Sequence, residues 1–340
     1  MGYLLKKEGF DRVLAELGKR YRLYAPVRKI GEGRFTDTDV VRYDFVRSVD
    51  EMELDRKSDY AFKEILTPLS ETLFFFTEDE VKTADRDARE ILIFLKSCDM
   101  HAVKRLDQIY LDNRFADPFY KEIRGRVRFV LLGCQKSGAD CFCVDMGTNR
   151  TTDGYVFSLD RTEEGFCCSV REESLEPLFA ENSQETRDVE PGYVTENQTH
   201  VTIPEEIPNS IYGNPVWDEY SARCIGCGRC NFACPTCTCF TMQDVFYTDN
   251  GKAGERRRVG ASCMVDGYTN VAGGGQYRRS KGERMRFKVL HKICDFKKRF
   301  GYQMCVGCGR CDAICPEYIS FSACINKVNA AVQEENGREV

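Results

Sequence analysis

Two short segments constrain this chain most, because they repeat one spacing of cysteines: CIGCGRCNFACP at 224–235 and CVGCGRCDAICP at 305–316. Each reads C-x₂-C-x₂-C-x₃-C-P, the run with which bacterial ferredoxins hold [4Fe–4S] clusters, the fourth cysteine of each run ligating the other cluster. The spacing has a mechanical sense. Three thiolates separated by two residues curl round one face of a cubane, the longer last step carries the fourth thiolate to the neighbour, and proline stops the turn from continuing as helix. Gly226, Gly228, Gly307 and Gly309 lack a Cβ, and are expected to let backbone N–H groups approach the cluster sulfides. The expected ligand sets are therefore crossed: Cys224, Cys227, Cys230 and Cys315 for one cluster, and Cys305, Cys308, Cys311 and Cys234 for the second. Structural zinc is the alternative. Zinc knuckles set two C-x₂-C pairs about 12–20 residues apart, whereas here four cysteines fall within eleven residues, twice.

Composition points the same way. The 340 residues include 19 cysteines but only three histidines, His101, His200 and His291, so a metal site must rely on thiolate sulfur, which favours zinc or iron–sulfur. An odd cysteine count in a long chain without an export signal makes a disulfide scaffold the weaker reading. With 49 basic against 54 acidic side chains the net charge is −5, unlike the basic footprint of a nucleic-acid binder. No apolar run approaches twenty residues, and MGYLLKKEGF has no signal-peptide core; the expectation is a cytoplasmic protein without a membrane span.

Along the chain, Phe10, Val13, Leu14 and Leu17 share a helical stripe within Lys6–Tyr21, and β-rich pieces come next at Arg22–Val27 and Val40–Val46. Ile91–Leu95 and Val127–Leu132 are apolar runs flanking helical spacing over His101–Ile123, which reads as a βαβ unit with parallel strands. Cys98 and Cys134 then sit just beyond the carboxyl ends of neighbouring strands, the edge where open α/β sheets bind ligands. If the loop Gln135–Asp140 folds back, Cys141 and Cys143 join them, and the four thiolates hold a third [4Fe–4S] cluster. Its C-x-C spacing is unusual for a cubane, and four reduced structural thiols are the other reading. Asp99 and His101 fit either as hydrogen-bond partners of those ligands or as caps of the following helix. Cys237 and Cys239 read as packing, Cys167 and Cys168 as strand residues, and Cys263, Cys294 and Cys324 carry no spacing signal. The stretch Ile203–Trp217, with three prolines and a glycine, reads as a boundary. The expected fold is thus an N-terminal α/β domain with a βαβ unit, residues 1–215, followed by a mostly helical, ferredoxin-like dicluster domain, residues 216–340. Within the latter, Asp249–Gly275 reads as an ordered insertion or loop and Lys281–Arg299 as a basic amphipathic helix. The basic run Arg278–Lys292 is expected to be a solvated face, and the tail Asn326–Val340 to be frayed.

No G-x-G-x-x-G, P-loop or nucleophile elbow occurs in the context it needs, and no separate cysteine pair marks a sirohaem site. Clusters without an electron source or a substrate pocket imply one subunit of a larger enzyme, in which no residue of this chain acts as acid, base or nucleophile. The stretches SCDMHAVKRLD, CFCVDMG, CIGCGRCNFACPTCTCF, GERMRFKVLHK and CVGCGRCDAICP, between about Ile91 and Phe321, resemble the family of iron–sulfur subunits of anaerobic sulfite reductase. The beta subunits of cytosolic sulfhydrogenases are similar in the same places. The resemblance implies a cytoplasmic heterotrimer that reduces sulfite to sulfide. In it an iron–sulfur subunit relays electrons from a second subunit, which binds flavin and NADH, to a third, which holds sirohaem. A NiFe hydrogenase partner is the alternative. Two other classes remain, a self-sufficient enzyme with its site near Cys98 and Cys134, and a zinc-stabilised interaction module.

Overall fold

A computed structural model of the chain describes residues 1–33 and 37–338. It divides into two compact units. The first comprises Met1–Thr67, Asp85–Gly138 and Gly147–Glu196; the second comprises Pro68–Ala84, Ala139–Met146 and Asn197–Val340.

The first unit is built on an eight-stranded mixed sheet. Its centre is four parallel strands, Tyr21–Lys29, Glu90–Lys96, Val127–Leu132 and Phe157–Arg161, in that spatial order. Glu90–Lys96 and Val127–Leu132 pair from Ile91 with Val127 to Lys96 with Leu132, and helices Ser97–Tyr110 and Pro118–Arg124 make the crossover between them. These strands are near-continuously apolar because they are covered on both faces, and every residue from Ile91 to Lys96 is buried. Antiparallel strands finish the sheet: Val40–Phe45 on one flank, and Phe166–Val170, Gly2–Leu5 and Glu185–Thr186 on the other. Helix Lys7–Arg20 lays Phe10, Val13, Leu14 and Leu17 into a core shared with Phe94, Phe157 and Phe179. Each such side chain contributes about 1.5–3 kcal/mol by leaving water.

The second unit has its own core, formed by helices Lys281–Leu290 and Phe321–Arg338 together with Ile211, Trp217 and Tyr220. It also contains a four-stranded antiparallel sheet in the order Phe240–Phe246, Gly254–Gly260, Ser70–Phe76, Val81–Thr83. Three expectations are corrected here. The stretch Ile203–Trp217 is not a linker, since Ile211 and Trp217 are buried in this core and the Trp217 indole N–H donates to the Ile211 carbonyl at 2.7 Å. The insertion Asp249–Gly275 carries a central strand of the sheet, so the unit is less helical than expected. The tail is helical through Arg338, with Val328, Ala331 and Val332 buried, and of its residues only Glu339 and Val340 lie outside the described ones. Because the 197–217 segment packs with the residues C-terminal to it, the division falls at 196/197 and not at 215/216. Among the described residues no helix is long and apolar enough to cross a membrane.

Candidate iron–sulfur centre

The two cassettes repeat in structure as they do in sequence. In each, a glycine two residues after the first cysteine turns its backbone N–H back onto that cysteine's sulfur: Gly226 N–H to Cys224 Sγ and Gly307 N–H to Cys305 Sγ, both at 3.4 Å. In each, a second glycine in left-handed conformation, Gly228 (φ 75°) or Gly309 (φ 65°), opens a single helical turn, Arg229–Ala233 or Arg310–Ala313, that presents the third cysteine. Such positions favour glycine because a Cβ there crowds the backbone. Ile319 N–H adds a donor to Cys315 Sγ at 3.4 Å. Amide N–H groups aimed at sulfur stabilise the thiolate and tune a cluster's potential.

The fourth cysteines cross over. Cys315 stands with Cys224, Cys227 and Cys230 round a cavity whose apolar lining includes Met264, Met285, Ile319 and Phe321. Cys234 stands with Cys305, and Cys311 faces both Cys234 and Cys308. Cys311 borders the first cavity as well. None of the 19 cysteines is in a disulfide. Burial pushes the Cys224 and Cys311 thiols up, and Cys305 up to about 12, so a bound metal would have to drive their ionisation. Among the described residues no three or more His, Cys, Asp or Glu side chains are gathered as ligands of one ion would be. A cubane instead spreads its four thiolates over four irons. Sulfurs so grouped, with N–H donors beside them and an apolar wall round the first cavity, fit [4Fe–4S] clusters.

Gly307 and Gly309 do more than was expected of them. A Cβ on Gly307 would lie 2.5 Å from the Phe142 carbonyl oxygen, and one on Gly309 would lie 2.2 Å from that of Asp140. The close approach they permit is to the segment 139–146, whose Phe142 N–H donates to the Gly307 carbonyl at 2.8 Å. That segment brings Cys141 and Cys143 to the second cassette, where Cys141 Sγ donates to the Cys308 carbonyl at 3.7 Å and Asn197 Nδ2 donates to Cys143 Sγ at 3.8 Å.

Cys98 and Cys134, in the first unit, lie just past the ends of the paired strands Glu90–Lys96 and Val127–Leu132, whereas Cys141 and Cys143 belong to the second unit. Cys134 Sγ has the Lys96 ammonium at 4.0 Å. Asp99 is buried and accepts from the Tyr43 hydroxyl at 3.4 Å, while His101 Nε2 meets the Arg150 carbonyl at 2.9 Å. Cys167 and Cys168 lie in the strand Phe166–Val170.

Two groups of residues carried no recognisable sequence signal. Cys239 and Cys263 hydrogen-bond each other, with Asn231 Nδ2 donating to Cys263 Sγ at 3.0 Å and the Tyr268 hydroxyl reaching Cys239. The hydrogen bond from Cys263 holds the Cys239 thiol below its ordinary range. The basic run is also not the solvated face expected of it, because Arg284, Lys288 and Lys292 are all buried. Lys292 donates to the Thr236 hydroxyl at 2.8 Å, and Thr236 in turn lies 3.4 Å from Cys234 Sγ. No polarity rule would place a lysine inside, since lysine is almost never fully buried unless paired.

Comparison with known proteins agrees with this geometry. Residues 223–319 match the family model of a 4Fe–4S dicluster domain. Over 342 aligned residues the chain is 29% identical to the beta subunit of sulfhydrogenase 2 from Pyrococcus furiosus, an alignment that covers 95% of this chain and 97% of that one. No solved structure matches the chain. The dicluster match and this similarity together support an iron–sulfur electron-transfer subunit that uses [4Fe–4S] clusters.

Proposed function

We propose that this chain is a non-catalytic relay subunit of a cytoplasmic oxidoreductase complex. One [4Fe–4S] cluster is held by Cys224, Cys227, Cys230 and Cys315 and a second by Cys305, Cys308, Cys311 and Cys234. The observation that supports it most is the crossing of the two fourth cysteines, since a shared pair of cassettes keeps two clusters adjacent, as a relay requires. When bound, the clusters supply one-electron transfer. The cysteines hold them, and the N–H groups of Gly226, Gly307 and Ile319 fix and partly neutralise the ligating sulfurs. Met264, Met285, Ile319 and Phe321 keep water from one face. No side chain here need move a proton.

For the complex, the resemblance quoted above supports an anaerobic sulfite reductase, and supports a hydrogenase complex equally. Electrons would come from a partner that binds NADH and flavin, and a sirohaem-containing partner would reduce sulfite to sulfide. The second reading, a hydrogenase partner, is favoured by the near-full-length similarity to a sulfhydrogenase beta subunit. A Cys308→Ser variant should lower NADH-dependent sulfite reduction by the complex while sparing reduction driven by an artificial donor to the sirohaem partner. Equal survival of both activities would reject the relay role. Recovery of a hydrogen-activating partner without sulfite reduction, on anoxic purification, would select the second reading. The sequence also suggests a third cluster on Cys98, Cys134, Cys141 and Cys143. Iron near eight atoms per chain matches two clusters, and near twelve adds the third, at about four irons each.

A further inference from the structure

The helix Lys281–Leu290 and the turn after it carry two lysines four residues apart, hence on one face. Lys288 is 4% exposed and Lys292 is 2% exposed. Burying an ammonium without an anion costs several kcal/mol, yet among the described residues neither lysine meets a carboxylate. What faces them is sulfur. The Lys288 ammonium lines the cavity with Cys224, Cys227, Cys230, Cys311 and Cys315 and hydrogen-bonds Cys230. Lys292 faces Cys234, Cys237 and Cys305, and its bond to Thr236 leaves the threonine hydroxyl proton free to be donated to Cys234 Sγ.

Neutral thiols would not offset two buried cations. Four thiolates round an iron–sulfur core would, because such an assembly is a net anion in both redox states and becomes more negative when reduced. Resting on the ligand sets proposed above, we propose that Lys288 and Lys292 are built-in counter-cations of the two clusters. Lys288 serves the cluster on Cys224, Cys227, Cys230 and Cys315, and Lys292 the cluster on Cys305, Cys308, Cys311 and Cys234. Each raises its cluster's reduction potential. The step they favour is uptake of one electron by the oxidised cluster from a reductant such as dithionite, with no atom or proton transferred. A fixed positive charge stabilises the more negative product, so removing it lowers the potential.

The test uses the full chain purified without oxygen, as Lys288→Met and Lys292→Met, with the charge-keeping Lys288→Arg and Lys292→Arg alongside. Iron and acid-labile sulfide are measured first, and each cluster is then titrated potentiometrically by low-temperature EPR. In each methionine variant the reduced-to-oxidised ratio of one cluster, a different one in each, should fall about tenfold at the parent midpoint, equivalent to about 59 mV for a one-electron couple. The arginine variants should stay near the parent. Iron lost from a methionine variant and retained by its arginine counterpart would carry the same meaning, a charge needed for the cluster to assemble. Full iron with unmoved ratios overturns the proposal. Iron lost from methionine and arginine variants alike also overturns it, leaving the lysines a packing role. A parent chain without iron or sulfide would overturn the cluster reading itself.

Discussion

Gly309 and Gly301 share a left-handed backbone, at φ 65° and 86°, but not an environment. Gly301 ends the helix Phe296–Phe300 in open space, with nothing within 4 Å of a would-be Cβ. Gly309 faces the Asp140 backbone. Gly301→Ala should therefore cost only the conformational penalty, about 1–2 kcal/mol, and Gly309→Ala a further 1–3 kcal/mol, roughly, from overpacking against atoms that cannot give way. Urea unfolding of both variants checks this, and equal losses would mean that the 139–146 segment is not held by the cassette. The residue after the third cysteine shows how a repeat diverges once its ligands are set. Asn231 is buried against Cys263, whereas Asp312 accepts from Phe321 N–H at 2.8 Å and Ser322 N–H at 3.2 Å, capping the C-terminal helix. Sequence spacing made the ligand-type cysteines legible because cluster chemistry dictates it. It said nothing about Asn231 or Lys288, whose roles depend on partners distant along the chain.

Helix Lys281–Leu290 begins with a capping box, Ser280 Oγ accepting from Glu283 N–H at 3.1 Å, and continues through a π-helical turn, His291–Asp295, into Phe296–Phe300. Such turns insert a residue and re-aim the side chains beyond them. His291 stacks on Phe287 at 5.4 Å, and burial, with Lys292 beside it, lowers its pKa to about 4. The unfolded chain, with its histidine near 6.5, binds the proton more readily, so stability is complete above about 6.5 and falls as pH drops toward 4. The intact protein should lose about 2 kcal/mol more than His291→Phe between pH 6.5 and 5. Denaturant midpoints at the two pH values measure it, acid loss of the clusters being common to both proteins. Parallel slopes would reject a buried neutral histidine. The strands around Glu90–Lys96 were readable because coverage on both faces leaves an unbroken apolar run. Phe240–Phe246 and Gly254–Gly260 were not, because GERRRVG resembles a charged loop until its partners are known: Arg258 pairs with Glu71 at 2.8 Å and Arg256 with Asp244 at 2.6 Å.

At the scale of the whole molecule, the cassette-bearing unit is not a contiguous stretch of chain. It takes the strands Ser70–Phe76 and Val81–Thr83 and the segment 139–146 from earlier in the sequence. A piece beginning at Asn197 would therefore lack half of the four-stranded sheet and the backbone that packs on Gly307 and Gly309. After reconstitution it should retain markedly less iron and sulfide than the full chain and unfold at lower denaturant. Equal loading and equal midpoints would show the early segments to be dispensable. The same interleaving dictates an order of events on the ribosome. Ser70–Phe76, with its three consecutive phenylalanines, emerges about 180 residues before Gly254–Gly260, which at 5–20 residues per second is a wait of roughly ten to forty seconds. Throughout that interval the edge of Ser70–Phe76 that later receives Gly254–Gly260 has no mate and is open to wrong pairing until synthesis is three-quarters done.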